Sequence, residues 1–172
     1  MTAGRTALTA ALITLAVVLQ VSVFDAFAWH GIVPDLALLV VVGAALVRGG
    51  EFGMVVGFAA GVVLDLAPPA EHTAGRWALA LLVVGYVAGR VRQDARPGTT
   101  PTATTVMATV AACSFVGSSI FALTGIVLHD AAVGTGELFQ VIAISLAWDV
   151  LLAPLVLPPV MAAFRRLEPA AR

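Results

Sequence analysis

Three apolar runs, Thr6–Phe27, Thr102–Leu128 and Leu138–Phe164, decide which solvent this chain folds in. A bilayer core about 30 Å thick takes roughly 20 apolar residues of helix, and each run is long enough to cross it outright. Three shorter runs, Pro34–Val47, Phe52–Ala67 and Arg76–Gly89, reach both faces by recruiting flanking residues or by sitting behind protein where the bilayer thins. Of the 172 residues, 60% are hydrophobic and 11% charged. One water-soluble core has no room for that much apolar surface, because a domain of this size leaves about a third of its surface exposed. Lipid removes the difficulty. The sequence therefore predicts an all-α fold: a polytopic membrane protein, with residues 1–172 forming a single domain of six transmembrane helices.

The arginines orient that bundle. All nine basic residues are arginine. With the N-terminus inside, Arg5, Arg48, Arg90, Arg92, Arg96, Arg165, Arg166 and Arg172 fall on the cytoplasmic side, and only Arg76 falls outside. Arginine and lysine concentrate in cytoplasmic loops and set orientation during insertion. The split requires all six spans and predicts two cytoplasmic termini. Asp25, Glu71, Asp130 and Glu137 collect on the outer side. Ala26-Phe27-Ala28 has the form of a signal-peptidase site, but the run from Ala7 to Phe24 exceeds the usual 7–15 residues of a signal core, so an uncleaved anchor is expected.

Several function classes lose their footing here. No basic stretch alternates with aromatics, which argues against nucleic acid. Cys113 is the only cysteine, so neither an intrachain disulfide nor a cysteine zinc site can form. His30, His72 and His129 map to outer loops without the spacing of a helical metal site. The sequence contains no P-loop, G-x-S-x-G elbow or H-E-x-x-H helix. A non-enzymatic protein without metal or cofactor is the expectation.

What stands out is a stripe of small residues. Gly53, Gly57 and Gly61 recur every fourth residue, with Gly49 one step before and Asp65 one step after. Residues four apart share a helix face. The glycines make a groove where another helix approaches to backbone contact, in this bundle or from a partner. Asp65 extends the stripe, and an acid facing lipid costs about 2.5–3.5 kcal/mol at a helix centre, less near the interface. This face must therefore look into protein or water. Gly85 and Gly89 form a second such pair.

Three further polar residues are candidates. Asp35, after Pro34, sits where a carboxylate complements the first turn of a helix. Asp149 lies a dozen residues into the sixth run and needs a partner such as Ser145, a backbone group, Arg76 or water. Arg76 either pairs with Asp65 or Glu71, or snorkels to the interface beside Trp77. Pro154, Pro158 and Pro159 predict a kink in the sixth helix.

Pro34-Asp35-Leu36 leading into an aliphatic run, followed by Gly57-Phe58-Ala59-Ala60-Gly61-Val62-Val63-Leu64-Asp65-Leu66, resembles the bacterial rod shape-determining protein MreD family. The alanine- and arginine-rich, lysine-free style is similar to actinobacterial members. Size and helix order agree over nearly the whole chain, while the diagnostic residues cover about Pro34 to Arg90. The family's glycines and acid map onto Gly57, Gly61 and Asp65, and its Pro-Asp onto Pro34 and Asp35. The resemblance implies a scaffold in the cytoplasmic membrane that binds the single-span protein MreC. It also implies membership of the elongation machinery, with MreB, RodA and a class B penicillin-binding protein, which directs side-wall peptidoglycan synthesis. The family's fold is in turn similar to the substrate-binding subunits of energy-coupling-factor transporters. That kinship supplies the rival reading, a vitamin-binding transporter subunit. Such a subunit docks through an A-x-x-x-A surface, for which Ala3, Ala7 and Ala11 have the spacing. Aromatics at 7% and a single tyrosine, Tyr86, supply a vitamin pocket poorly.

Overall fold

Gly49 marks a sharp corner between two helices. With φ at +91° it adopts a conformation that L side chains rarely take, and it ends one helix and begins the next. The computed structural model describes residues 3–68, 73–94, 101–128 and 135–166. Among them are six α-helices: α1 (Ala3–Ser22), α2 (Leu36–Arg48), α3 (Gly50–Leu66), α4 (Arg76–Asp94), α5 (Ala103–Val127) and α6 (Thr135–Arg166). Three of these, over Gly4–Ser22, Ala103–Val127 and Leu138–Arg166, are long and apolar enough to cross a membrane.

The central helix is α2, where every residue from Leu36 to Val47 is buried. A helix that is apolar all round belongs in an interior. At 13 residues it spans only about 20 Å, short of a bilayer core, and it needs no more because its neighbours stand between it and lipid. It packs on all five other helices.

The closest pairing is between α3 and α4. Gly50, Gly53, Gly57 and Gly61 descend one face of α3, and Gly89, Gly85, Leu81 and Ala78 meet them in antiparallel order. A Cβ on Gly57 would fall on the Leu81 carbonyl, one on Gly61 on the Trp77 carbonyl, and one on Gly85 on the Gly53 carbonyl. The two small-residue stripes therefore meet each other, backbone against backbone, as the absence of side chains permits.

The bundle has two chemically distinct ends. At one, Gly50 lies against Gly89, the Phe52 and Phe164 rings meet edge to face at 5.9 Å, and the Arg48 guanidinium covers Phe52 at 4.0 Å. These contacts gather the ends of α2, α3, α4 and α6 that carry Arg48, Arg90, Arg92, Arg165 and Arg166. The opposite end carries Asp35, Asp65, Arg76 and Asp149.

Some element ends depart from the apolar runs. The first run continues to Phe27, but α1 stops at Ser22, and Phe24–Phe27 form a turn of 3₁₀ helix. A tight reversal follows, closed by paired backbone bonds between Trp29 and Ile32 at 3.0 and 3.1 Å, with His30 and Gly31 both at positive φ. That is the signature of a two-residue turn with left-handed central residues. Helix α4 continues past Gly89 to Asp94, carrying its arginines beyond the apolar stretch. Helix α6 is helical through Pro154, Pro158 and Pro159 rather than interrupted by them.

Candidate functional site

Helix α4 starts behind Gly75, a residue with no side chain to cap it. The first N–H groups of a helix lack intrahelical partners and usually bond a side-chain oxygen just upstream. Here α3 supplies the oxygens. Asp65 Oδ2 accepts the N–H of Gly75 at 2.8 Å and of Ala78 at 3.1 Å, and Oδ1 accepts that of Trp77 at 3.2 Å. The carboxylate, 5% exposed, sits at the positive end of the α4 dipole. One residue thus ends the glycine stripe and caps the helix packed against it.

A second network gathers around α2. Asp35 is its N-cap, with Oδ1 accepting the Leu38 N–H at 2.9 Å. Gln20 of α1 accepts the Ala37 N–H at 3.2 Å. The Asp35 N–H donates to Asp149 Oδ1 of α6 at 2.8 Å, and Ser114 of α5 donates its hydroxyl to Asp149 Oδ2 at 2.6 Å. Asp149 is 1% exposed and ties α6 to two other segments, the start of α2 and α5, through its two oxygens. A buried acid needs such bonds, since an unpaired one would lose several kcal/mol of solvation.

Arg76 does not snorkel. It is 7% exposed, and its guanidinium lies over the Phe121 ring at 3.9 Å and donates from Nη2 to the Phe121 carbonyl at 2.7 Å. Trp77 stacks on the same ring at 4.4 Å. The bare backbone of Gly125 leaves room for the guanidinium, and a Cβ there would collide with it. Glu71, the other partner considered for Arg76, lies outside the described residues, as do His72, His129 and Asp130.

Arg76, Asp35 and Asp149 all line one cavity of about 320 Å³, while Asp65 belongs to the α3–α4 seam beside it. Gln20, Ser118 and Ser145 add polar groups to its wall. Sequence reasoning did not reach this cavity, nor Gln20 and Ser114. Gln20 left a signal as an amide in an apolar run; Ser114 left none, being 35 positions from the acid it binds. Ser145, a candidate partner for Asp149, lines the cavity, and the Asp149 bonds go to Ser114 and to the Asp35 backbone.

The family model for the rod shape-determining protein MreD matches residues 2–167. The chain belongs to the MreD family. Among curated proteins and among solved structures nothing matches. The family match and the three long apolar helices together support a membrane protein with a role in rod shape determination. Within the family segment, the Pro34-Asp35 pair opens the buried central helix, and the glycines and Asp65 form the seam between α3 and α4.

Proposed function

We propose that this MreD-family protein is a non-enzymatic scaffold that spans the cytoplasmic membrane six times, with both termini inside. In this reading it binds MreC and, with RodA, a class B penicillin-binding protein and MreB, helps direct side-wall peptidoglycan synthesis. The family match over residues 2–167 carries the reading. Physical features support it. The arginine-rich end fits the cytoplasmic face, and the end where Arg76 is the only arginine among the described residues fits the outer face. Helices α3 and α4, about 26 and 29 Å long, come close to the bilayer core, and α2 is shielded by the rest.

The glycine stripe of α3 lies against α4, so a partner helix is met by other faces. The outward sides of α1, α5 and α6 offer them, with Leu15 and Val18, Phe115 and Leu123, and Leu151 and Leu155 exposed. Co-purification of the full chain with MreC from detergent-solubilised membranes is the test. Capture that is lost when leucines are replaced along one of those faces, while the folded protein still accumulates in the membrane, is the expected result. Absence of any MreC capture from membranes holding both proteins would overturn the scaffold reading. For the topology, reporter fusions at both ends should read cytoplasmic, and a periplasmic signal from either refutes six crossings.

A further inference from the structure

We propose that α6 carries a hinge at Pro154, and that the part before the hinge, residues 138–148, closes inward over the cavity it lines. The inference is independent of MreC binding.

The two halves of α6 rest on different surroundings. In the C-terminal half Ala153, Leu157, Val160, Met161 and Phe164 are buried at the spacing of one helix face. The same face of the N-terminal half carries Leu138, Val141, Ser145 and Asp149, and all four line the cavity of about 320 Å³. From Leu138 to Trp148 no residue is buried, and Asp149 is the first that is. Protein interiors are ordinarily filled as densely as organic crystals, and side chains that face a void forgo the dispersion contacts of a packed neighbour. The N-terminal half therefore lacks the packing that fixes the C-terminal half.

Pro154 stands where the two regimes meet. It has no N–H for the Val150 carbonyl one turn earlier, and its ring crowds that carbonyl. The ring is exposed, so the crowding lies on the outward side of the helix, and bending away from it carries residues 138–148 inward. Pro158 and Pro159 remove two further amide bonds, but buried Leu157, Val160 and Met161 flank them. Asp149 sits beside the pivot, held by the Asp35 N–H and the Ser114 hydroxyl, so a bend at this place leaves both bonds made.

The lever is long enough to matter. At 1.5 Å per residue, Leu138 lies about 18 Å from Val150 along the axis. A proline bend of about 20° carries Leu138 roughly 6 Å inward and Ser145 roughly 3 Å. Leu138 and Val141 then enter the space of the cavity and gain the contacts they lack. The structure holds α6 in the open position.

Spin labels on the purified full chain in phospholipid nanodiscs read the motion, with the buried Cys113 replaced by alanine. Phe139 before the hinge, Leu155 after it and Leu79 on α4 are all exposed, and the labels are attached through Phe139→Cys, Leu155→Cys and Leu79→Cys. The Phe139–Leu79 pair should show two distances, roughly 3–6 Å apart, the shorter being the closed position. The Leu155–Leu79 pair should show one. Pro154→Ala restores the amide bond to Val150 at an exposed position, and Ser145→Phe fills the cavity; each should abolish the shorter Phe139–Leu79 distance. A single Phe139–Leu79 distance, a shorter distance that survives either substitution, or two distances for Leu155–Leu79 would each overturn the proposal.

Discussion

Replacing Asp65 by asparagine keeps the shape of the side chain and removes half of its accepting power. The carboxylate takes three N–H bonds, two on Oδ2 and one on Oδ1. An amide oxygen in the Oδ2 position retains Gly75 and Ala78 but points its NH₂ at the Trp77 N–H, donor against donor. The lost bond was to a charged acceptor, worth about 1.5–3 kcal/mol, and the two that remain fall to roughly half their charge-assisted strength. Water reaches part of this helix start, so the net cost should be about 2–4 kcal/mol. At about 2–4 °C per kcal/mol for a chain of this size, the midpoint of thermal unfolding in detergent should fall roughly 5–15 °C. Hydrogen exchange locates the effect: the amides of Gly75, Trp77 and Ala78 should lose protection first. Glu51→Gln, an exposed acid at the other end of the same helix, controls for loss of charge alone and should change neither. Unchanged exchange at those three amides together with an unchanged midpoint in Asp65→Asn would refute the capping role and return Asp65 to partner binding.

Gly57→Ala should already push α3 from α4, because its Cβ would fall on the Leu81 carbonyl, and Gly57→Leu should cost at least the 1–3 kcal/mol typical of overpacking, read as loss of the folded protein from membranes. Ser114→Ala removes one donor to Asp149 and should lower stability by about 1–2 kcal/mol, whereas Asp149→Ala leaves two buried donors unmet and should cost about 2–5 kcal/mol in the same unfolding assay. Gly49→Ala, at φ +91°, should destabilise by about 1–2 kcal/mol from backbone strain although nothing lies within 4 Å of the added methyl.

Apolar runs made six helices legible in order, because in lipid the length of such a run is itself a structural requirement. The spacing of Gly53, Gly57 and Gly61 announced a close approach, and Pro34-Asp35 announced a helix start. Which helix approached was not readable, since periodicity describes one surface and not its neighbour. The end of α1 was hidden for a related reason: Val23, Phe24 and Phe27 continue the apolar run, although the α-helix has already ended at Ser22. Asp65 looked like the last member of a stripe, yet its bonds go to the start of a helix that begins eleven residues later. Ser114 and Asp149 are joined by the packing of α5 on α6, and a cavity built from several separate segments has no linear trace at all. The prolines of α6 lie inside the helix, where buried Ala153, Leu157 and Val160 pack around them and hold it through the missing amide bonds.

The position of Asp149 bears on how the protein is made. It lies in α6, which leaves the ribosome after the five other described helices, and it is the acceptor for the backbone of Asp35, which opens the second. Until α6 arrives, the Asp35 N–H and the Ser114 hydroxyl face the membrane without that acceptor. The nascent chain therefore carries two donors without this acceptor until α6 is in place. A chain truncated before α6 lacks this acceptor for both donors.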